Sequence, residues 1–128
     1  GGPCLPRDNR AFAAFAQKLG MEYNLGYVTD GINNEHAEFV CNYWEGMNKD
    51  SIPFYFDYLT YKKGTDILQE SQQYRLCLDL LERGHTVYIH NDSRITSQVE
   101  DNLEKYGDRV KFVDDKTNIS ESIFVVNL

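Results

Sequence analysis

The sequence predicts an α/β fold, a three-layer sandwich in which helices cover a mostly parallel central sheet of four or five strands. The first observation is a helix-then-strand unit within residues 63–92, where an apolar helical stripe precedes a β-branched and aromatic run. The second is that helical and strand patterns alternate along the rest of the chain. The third is composition: 41% hydrophobic and 13% aromatic residues supply a packed core and exclude a disordered chain.

The first half of the chain is expected to contain two helices and two strands. An apolar stripe predicts a helix over residues 8–20 that begins at a capping side chain, Asp8 or Asn9. Residues 21–28 have the composition of a strand, and the turn signature that follows them includes Asp30. The next two elements are expected to be a helix at 33–46 and an aromatic-rich strand at 52–58.

The second half continues the alternation of helix and strand. Thr65 is expected to cap a long helix, with Asp66 in its first turn, and Gly84 is expected to end it. The side chain of Asp92 suits the start of the next helix. The remaining elements follow in order: a strand at 86–89, a helix at 95–106, and strands at 110–113 and 123–126.

A chain of 128 residues is expected to form a single α/β domain, over residues 8–128. Residues 1–7 are interpreted as a lead-in whose Gly-Gly-Pro start is a tag remnant, on a domain taken from a larger protein. Two of the three cysteines, Cys41 and Cys77, fall in apolar patterns and are expected in the core. This usage favours a reducing, intracellular compartment, the cytoplasm or the nucleus, and the sequence has no apolar run that predicts membrane contact.

Charge and motifs exclude several functions. The net charge of −7 and the pI of about 4.8 argue against a general nucleic-acid-binding surface. The sequence contains no P-loop, no Gly-x-Gly-x-x-Gly, no Gly-x-Ser-x-Gly and no zinc-ligand spacing. A function therefore has to be sought in residues that the fold brings together.

Acidic residues follow the predicted strands. They are Asp30 after the first strand, Asp57 at the end of the second, Asp92 after the third, and Asp114 and Asp115 after the fourth. The carboxyl ends of parallel strands share one edge of a sheet, and carboxylate oxygens are the ligands that Mg²⁺ and Mn²⁺ prefer. This pattern predicts a metal site, although acids also follow strands because they form turns and cap helices.

Part of the chain resembles a known family. Thr-Asp-Ile-Leu at 65–68, the apolar-faced helix, and Gly-His-Thr-Val-Tyr-Ile-His-Asn-Asp at 84–92 are similar to the second half of a PIN domain. The resemblance implies a PIN-like or Rossmann-like sandwich that cuts RNA with divalent metal held by three or four acids. Many relatives have lost those acids and serve as scaffolds. By position, Asp30, Asp66 and Asp92 would be the catalytic and metal-binding residues.

Three functions stay open. The acidic charge and the incomplete site favour a non-catalytic, PIN-like interaction module of a larger intracellular protein, without a cofactor and linked to RNA or chromatin metabolism. Its partner would be another protein or other domains of its parent. The alternative is a metal-dependent ribonuclease in which Asp30, Asp66 and Asp92 hold Mg²⁺ or Mn²⁺ and RNA is the substrate. The third is a small-molecule or nucleotide-binding α/β domain, which requires a pocket.

Overall fold

A computed structural model describes residues 2–128. The helices are α1 (Cys4–Lys18), α2 (Leu25–Met47), α3 (Gln72–Glu82) and α4 (Ser93–Leu103), and the strands are β1 (Phe54–Phe56), β2 (Val87–His90), β3 (Val110–Val113) and β4 (Phe124–Val126). Short 3-10 helices at Glu104–Arg109 and Lys116–Asn118 flank β3. No helix within these residues combines the length and the apolar character needed to cross a bilayer.

The strands form one parallel sheet in the order β3-β2-β1-β4, which confirms the predicted α/β sandwich. Phe54 of β1 lies opposite Val87 of β2 and Phe124 of β4. The chain adds β2 and β3 on one side of β1 and then crosses over to add β4 on the other side. The strand order therefore reverses between β1 and β4, and ligands of open α/β sheets bind outside the carboxyl ends of the strands at such a point.

The core lies between one face of the sheet and α2, α3 and α4. Phe54, Phe56 and Val87 are fully buried, and Ile89 is 2% exposed. Other buried residues of this core come from the helices: Cys41, Leu76, Cys77, Leu80, Leu81, Ile95, Val99 and Leu103. The predicted core positions of Cys41 and Cys77 are confirmed, whereas Tyr74 and Leu78 of α3 are only partly buried.

The predicted strand at 21–28 is wrong, because helix α2 begins inside it. The Asn24 side chain caps α2 by accepting a hydrogen bond of 3.0 Å from the Tyr27 backbone N–H. Gly26 then lies against α1, where an added Cβ would come within 2.5 Å of the Asn9 carbonyl oxygen. Local capping and this close approach of two helices override the strand composition. Asp30 consequently lies in α2 and does not follow a strand.

Two predicted helix starts are also displaced. Helix α1 begins at Cys4 rather than at Asp8 or Asn9, so residues 4–7 of the predicted lead-in are helical, while residue 1 lies outside the described residues. Helix α3 begins after Ser71, whose hydroxyl accepts a hydrogen bond from the Tyr74 backbone N–H, and Thr65 caps nothing. The predicted helix stop at Gly84, which has φ of +94°, and the Asp92 cap of α4 are confirmed.

Candidate functional site

The loop at 57–71 connects β1 to α3 and carries the site. Its first turn closes on the Lys62 carbonyl oxygen, which accepts hydrogen bonds of 2.9 Å from Thr60 Oγ1 and 2.8 Å from Thr65 Oγ1. Gly64 lies between them with φ of +85°, a backbone conformation that glycine adopts at no steric cost. Two threonine hydroxyls and a glycine therefore fix the backbone on both sides of Lys62.

The far end of the loop is anchored to the start of α3. The Ser71 hydroxyl donates a hydrogen bond of 2.6 Å to the Leu59 carbonyl oxygen, which ties the α3 cap to the chain leaving β1. Glu70 has φ of +56°, which is uncommon for a residue with a side chain. Its carboxylate pairs with Arg10 of α1, and Arg10 also donates to Asp30 at 3.1 Å. Strained backbone of this kind is typical of ligand-binding loops.

A cleft of about 470 Å³ opens between this loop, α2 and the end of β4. Its lining residues are Gly2, His36, Val40, Tyr58, Tyr61, Lys62, Glu70, Gln72, Gln73 and Leu128. Tyr58 and Leu128 follow the carboxyl ends of β1 and β4, where the strand order reverses, so we name it the switch-point cleft. Its volume lies in the range of about 300–1,000 Å³ that is usual for small-molecule sites.

Two polar side chains of the switch-point cleft have no partner within residues 2–128. Lys62 forms no ion pair, unlike Lys63 beside it, which pairs with Asp57. Gln73 is 4% exposed, and its Oε1 atom has no hydrogen-bond donor. A buried amide oxygen without a donor costs free energy, so the cleft is lined by a lysine without an ion pair and by a glutamine whose amide oxygen is buried and unsatisfied.

The amino-terminal segment forms another wall of the switch-point cleft. A Cβ added to Gly2 would lie 3.4 Å from two ring carbons of Tyr61. Two residues further on, Cys4 begins α1 as an exposed, free thiol. The loop after β1 and the start of the chain therefore meet at one cleft.

A second, smaller cleft of about 210 Å³ lies at the carboxyl ends of β1 and β2, and we name it the β1–β2 cleft. Its cations are neutralised by neighbouring acids: Lys63 pairs with Asp57, and Arg94 Nη2 lies 2.7 Å from Asp92 Oδ2. The side chain of Asp92 also occupies the amino terminus of α4. Because its charges are paired and its volume is small, the β1–β2 cleft is the weaker candidate.

The three predicted metal ligands lie in three different settings. Asp30 lies in α2 and pairs with Arg10, Asp66 lies in the 57–71 loop, and Asp92 caps α4. Within residues 2–128, no group of three His, Cys, Asp or Glu side chains is placed to hold a metal ion. Clustered acids would raise one another's pKa, but the hydrogen bond from the Arg94 side chain lowers the pKa of Asp92.

Sequence reasoning missed Lys62, Gln73 and Cys4 as site residues. In the sequence alone, Lys62 lies in a polar stretch between a predicted strand and a predicted helix, and the start of the chain is interpreted only as a lead-in. For Gln73 the sequence does contain a signal, which is its helical spacing. Gln73 precedes Leu76 by three residues and Cys77 by four, so a polar residue falls on the buried face of α3. No local signal places Gly2, Tyr58 and Leu128 side by side, because the fold brings them together from distant parts of the sequence.

The chain therefore forms a parallel α/β domain with a cleft where the strand order reverses between β1 and β4. No family model matches the chain, and no curated protein matches it. Among solved structures, the chain is similar to a UDP-glucose dehydrogenase from the hyperthermophilic archaeon Pyrobaculum islandicum, with 26% sequence identity and a TM-score of 0.74. The match covers 98% of this chain and 29% of that one. The resemblance to PIN domains stays a prediction, since neither finding bears on it.

Proposed function

We propose that this chain is a nucleotide-sugar-binding domain of the kind found in UDP-glucose dehydrogenase, and that the switch-point cleft binds the nucleotide sugar. The observation that carries the proposal is the coincidence of fold and site. A likeness spanning 98% of the chain accompanies a cleft at the point in the strand order where α/β sheets bind ligands. This assignment falls in the third class that the sequence left open, a small-molecule-binding α/β domain.

The positive charge of Lys62, which forms no ion pair, favours a ligand that carries phosphate. A nucleotide sugar has a diphosphate with two negative charges, and an ammonium group without a carboxylate partner is free to neutralise them. The fixed turn around the Lys62 carbonyl oxygen holds the backbone in place before the ligand arrives. Lys62 is therefore the proposed diphosphate-binding residue.

Cys4 is the proposed group for any covalent step at this cleft. Thiolates are strong nucleophiles, and Cys4 is exposed while Cys41 and Cys77 are buried. Burial raises the pKa of Cys41 to about 11, which keeps that thiol protonated and unreactive at neutral pH. If UDP-glucose binds beside Gly2, it should slow alkylation of Cys4 by iodoacetamide.

Isothermal titration calorimetry with UDP-glucose tests the proposal. We expect saturable binding, and Lys62→Ala should weaken it about 10- to 100-fold, as expected for loss of a charge-assisted hydrogen bond. Lys63→Ala is the matched control, because it removes the neighbouring lysine from the β1–β2 cleft. Absence of binding to the unaltered protein, or an equal loss in both variants, would contradict the proposal.

We also propose that α1 and α2 bind a second copy of the chain, which is a different partner from the other protein or parent domains expected of the predicted interaction module. Exposed apolar residues recur at helical spacing along both helices; they include Phe12, Phe15 and Leu19 on α1 and Leu25, Val28, Ile32, Phe39 and Tyr43 on α2. We name this surface the apolar helix face. Single exposed apolar side chains are common on protein surfaces, but a set that repeats at helical spacing on two adjacent helices is typical of a surface that binds another protein chain.

Sedimentation equilibrium tests the second-copy proposal. We expect a dimer at about 10 μM, and Ile32→Glu should shift it to monomer because the change buries a charge at the centre of the face. Ile67→Glu is the control, since Ile67 is exposed in the 57–71 loop, away from these helices. A monomeric unaltered protein at about 100 μM would contradict the proposal.

A further inference from the structure

We infer that Gln73 is the specificity-determining residue of the switch-point cleft, where its side-chain amide accepts a hydrogen bond from an N–H or O–H group of the nucleotide sugar. The inference rests on the proposed function and goes beyond it. Lys62 accounts for phosphate, which every nucleotide carries, whereas Gln73 would distinguish one phosphorylated ligand from another.

The position of Gln73 on α3 is that of a core residue. Gln73 shares the buried face of the helix with Leu76, Cys77, Leu80 and Leu81. An aliphatic side chain would complete this stripe, and it would leave no polar atom to satisfy. The buried amide therefore lowers the stability of the fold. Polar residues that remain in a sequence despite such a loss of stability are typical of functional sites.

The burial of Gln73 points to a ligand. The residue is 4% exposed, lines the switch-point cleft, and has an Oε1 atom with no donor among residues 2–128. The hydroxyl of Ser71, two residues before it, is already committed, because Ser71 Oγ donates to the Leu59 carbonyl oxygen and accepts from the Tyr74 N–H. The amide oxygen has almost no accessible surface of its own, so the proposed ligand reaches it as the side chain turns toward the cleft, and a ligand donor then gives it the hydrogen bond it lacks.

The chemistry of the ligand supplies such a donor. The diphosphate of a nucleotide sugar is esterified at both ends and offers only acceptor oxygens at neutral pH, so it cannot satisfy Gln73 Oε1. Sugar hydroxyls and the N3–H of uracil are donors, and a buried acceptor strongly rejects analogues that lack the matching donor. Lys62 and Gln73 therefore divide recognition, with Lys62 binding the anionic centre and Gln73 one of the flanking groups.

This division predicts opposite effects of one substitution on stability and on binding. Gln73→Leu removes the unpaired amide, so the melting temperature of the ligand-free protein should rise by about 2–6 °C. The same change should weaken UDP-glucose binding about 10- to 100-fold, since the donor of the ligand is then left unpaired. A residue with only a structural role would not give both results.

Calorimetry and thermal melting on the unaltered chain, Gln73→Leu and Gln73→Met test the inference. Gln69→Leu is the control, at an exposed position of the 57–71 loop. Inorganic pyrophosphate is the second probe, and its affinity should stay within about twofold in every Gln73 variant, because Lys62 binds it. UDP is the third. A Gln73 effect retained with UDP places the donor on the nucleoside, and an effect lost with UDP places it on the glucose.

Unchanged UDP-glucose affinity in both Gln73 variants overturns the inference while leaving the proposed function intact. A fall in melting temperature together with equal losses for UDP-glucose and pyrophosphate also overturns it, because that pattern indicates a structural role. If the unaltered chain binds no UDP-glucose, both the proposed function and the inference fail.

Discussion

The α1–α2 hairpin and the sheet unit at 54–126 differ in where they keep their apolar side chains. Between residues 5 and 47 the structure exposes thirteen large hydrophobic side chains, but between residues 54 and 126 it exposes only Tyr61, Ile67 and Val125. The side chains by which the helices do pack are small: Ala13 and Ala16 of α1, and Gly26, Ala37 and Cys41 of α2 are buried. The sheet unit buries nearly all of its large apolar side chains, with α2 completing its core through Cys41 and Trp44, whereas the rest of the hairpin retains an apolar surface.

This difference separates two uses of hydrophobic residues. In the sheet unit, burial of aromatic and aliphatic side chains stabilises the fold and holds the 57–71 loop at the switch-point cleft. In the hairpin, close backbone approach at Gly26 joins the helices, and the larger side chains remain available to another surface. Substitutions in the two regions should therefore have different effects on stability.

The largest effect is expected in the sheet unit. Leu80 is fully buried in the core, so Leu80→Ala should lower the free energy of unfolding by about 2–5 kcal/mol. Phe15→Ala in the hairpin removes a larger side chain, but Phe15 is 60% exposed, and we expect a change within about 0.5 kcal/mol for the monomer. Urea denaturation at low protein concentration measures both values. Equal losses would show that the two regions do not differ in this way.

An intermediate effect is expected where the helices of the hairpin meet. Gly26→Ala places a methyl group within 2.5 Å of the Asn9 carbonyl oxygen and should cost about 1–3 kcal/mol. Gly31→Ala lies in the same helix with nothing within 4 Å, and alanine should stabilise it by up to about 1 kcal/mol. Thermal melting of the two variants compares them directly. The account of the hairpin fails if both substitutions change stability in the same direction.

The smallest effect is expected at the ion pairs that join the two regions. Glu45 of α2 contacts Arg83, and its Oε1 lies 2.6 Å from His85 Nε2. Burial acts to raise the pKa of Glu45, but hydrogen bonds from His85 and Arg83 outweigh it and lower the pKa. Because the folded pKa lies below the unfolded one, the stabilisation is present above about pH 4.5 and is lost as pH falls through the folded pKa.

Glu45→Gln should therefore reduce the loss of melting temperature on acidification from about pH 6 to pH 4. The energy involved should stay below about 1 kcal/mol, because the pair is partly exposed. Glu38→Gln is the control, since Glu38 forms no ion pair within residues 2–128. If the unaltered protein and Glu45→Gln lose the same amount of melting temperature on acidification, Glu45 does not contribute to the acid sensitivity of the fold.

The sequence predicted elements that depend on local signals and missed those that depend on contacts. The stop at Gly84 and the cap at Asp92 depend on one residue each, so both were predicted. Residues 21–28 have the composition of a strand, but helix α2 begins within them because Asn24 caps it and Gly26 packs on α1. Thr65 and Ser71 are both good caps, and only the contact with the Leu59 carbonyl oxygen selects Ser71.

The candidate site was less predictable than the fold for the same reason. The acids after strands formed a visible pattern, but Asp92 pairs with Arg94, and Asp30 belongs to a helix. Lys62 and Gln73 become a site only when Gly2 and Leu128 are brought beside them. Such a juxtaposition follows from strand order, which the sequence does not encode as a local motif.

A heteronuclear NMR titration of the isotope-labelled chain with UDP-glucose tests most directly the claim that the switch-point cleft is the binding site. We predict saturable shifts of the backbone amides of Tyr61, Lys62 and Gln73, with little change at Arg94 in the β1–β2 cleft. No shifts at all, or shifts confined to the β1–β2 cleft, would contradict the account.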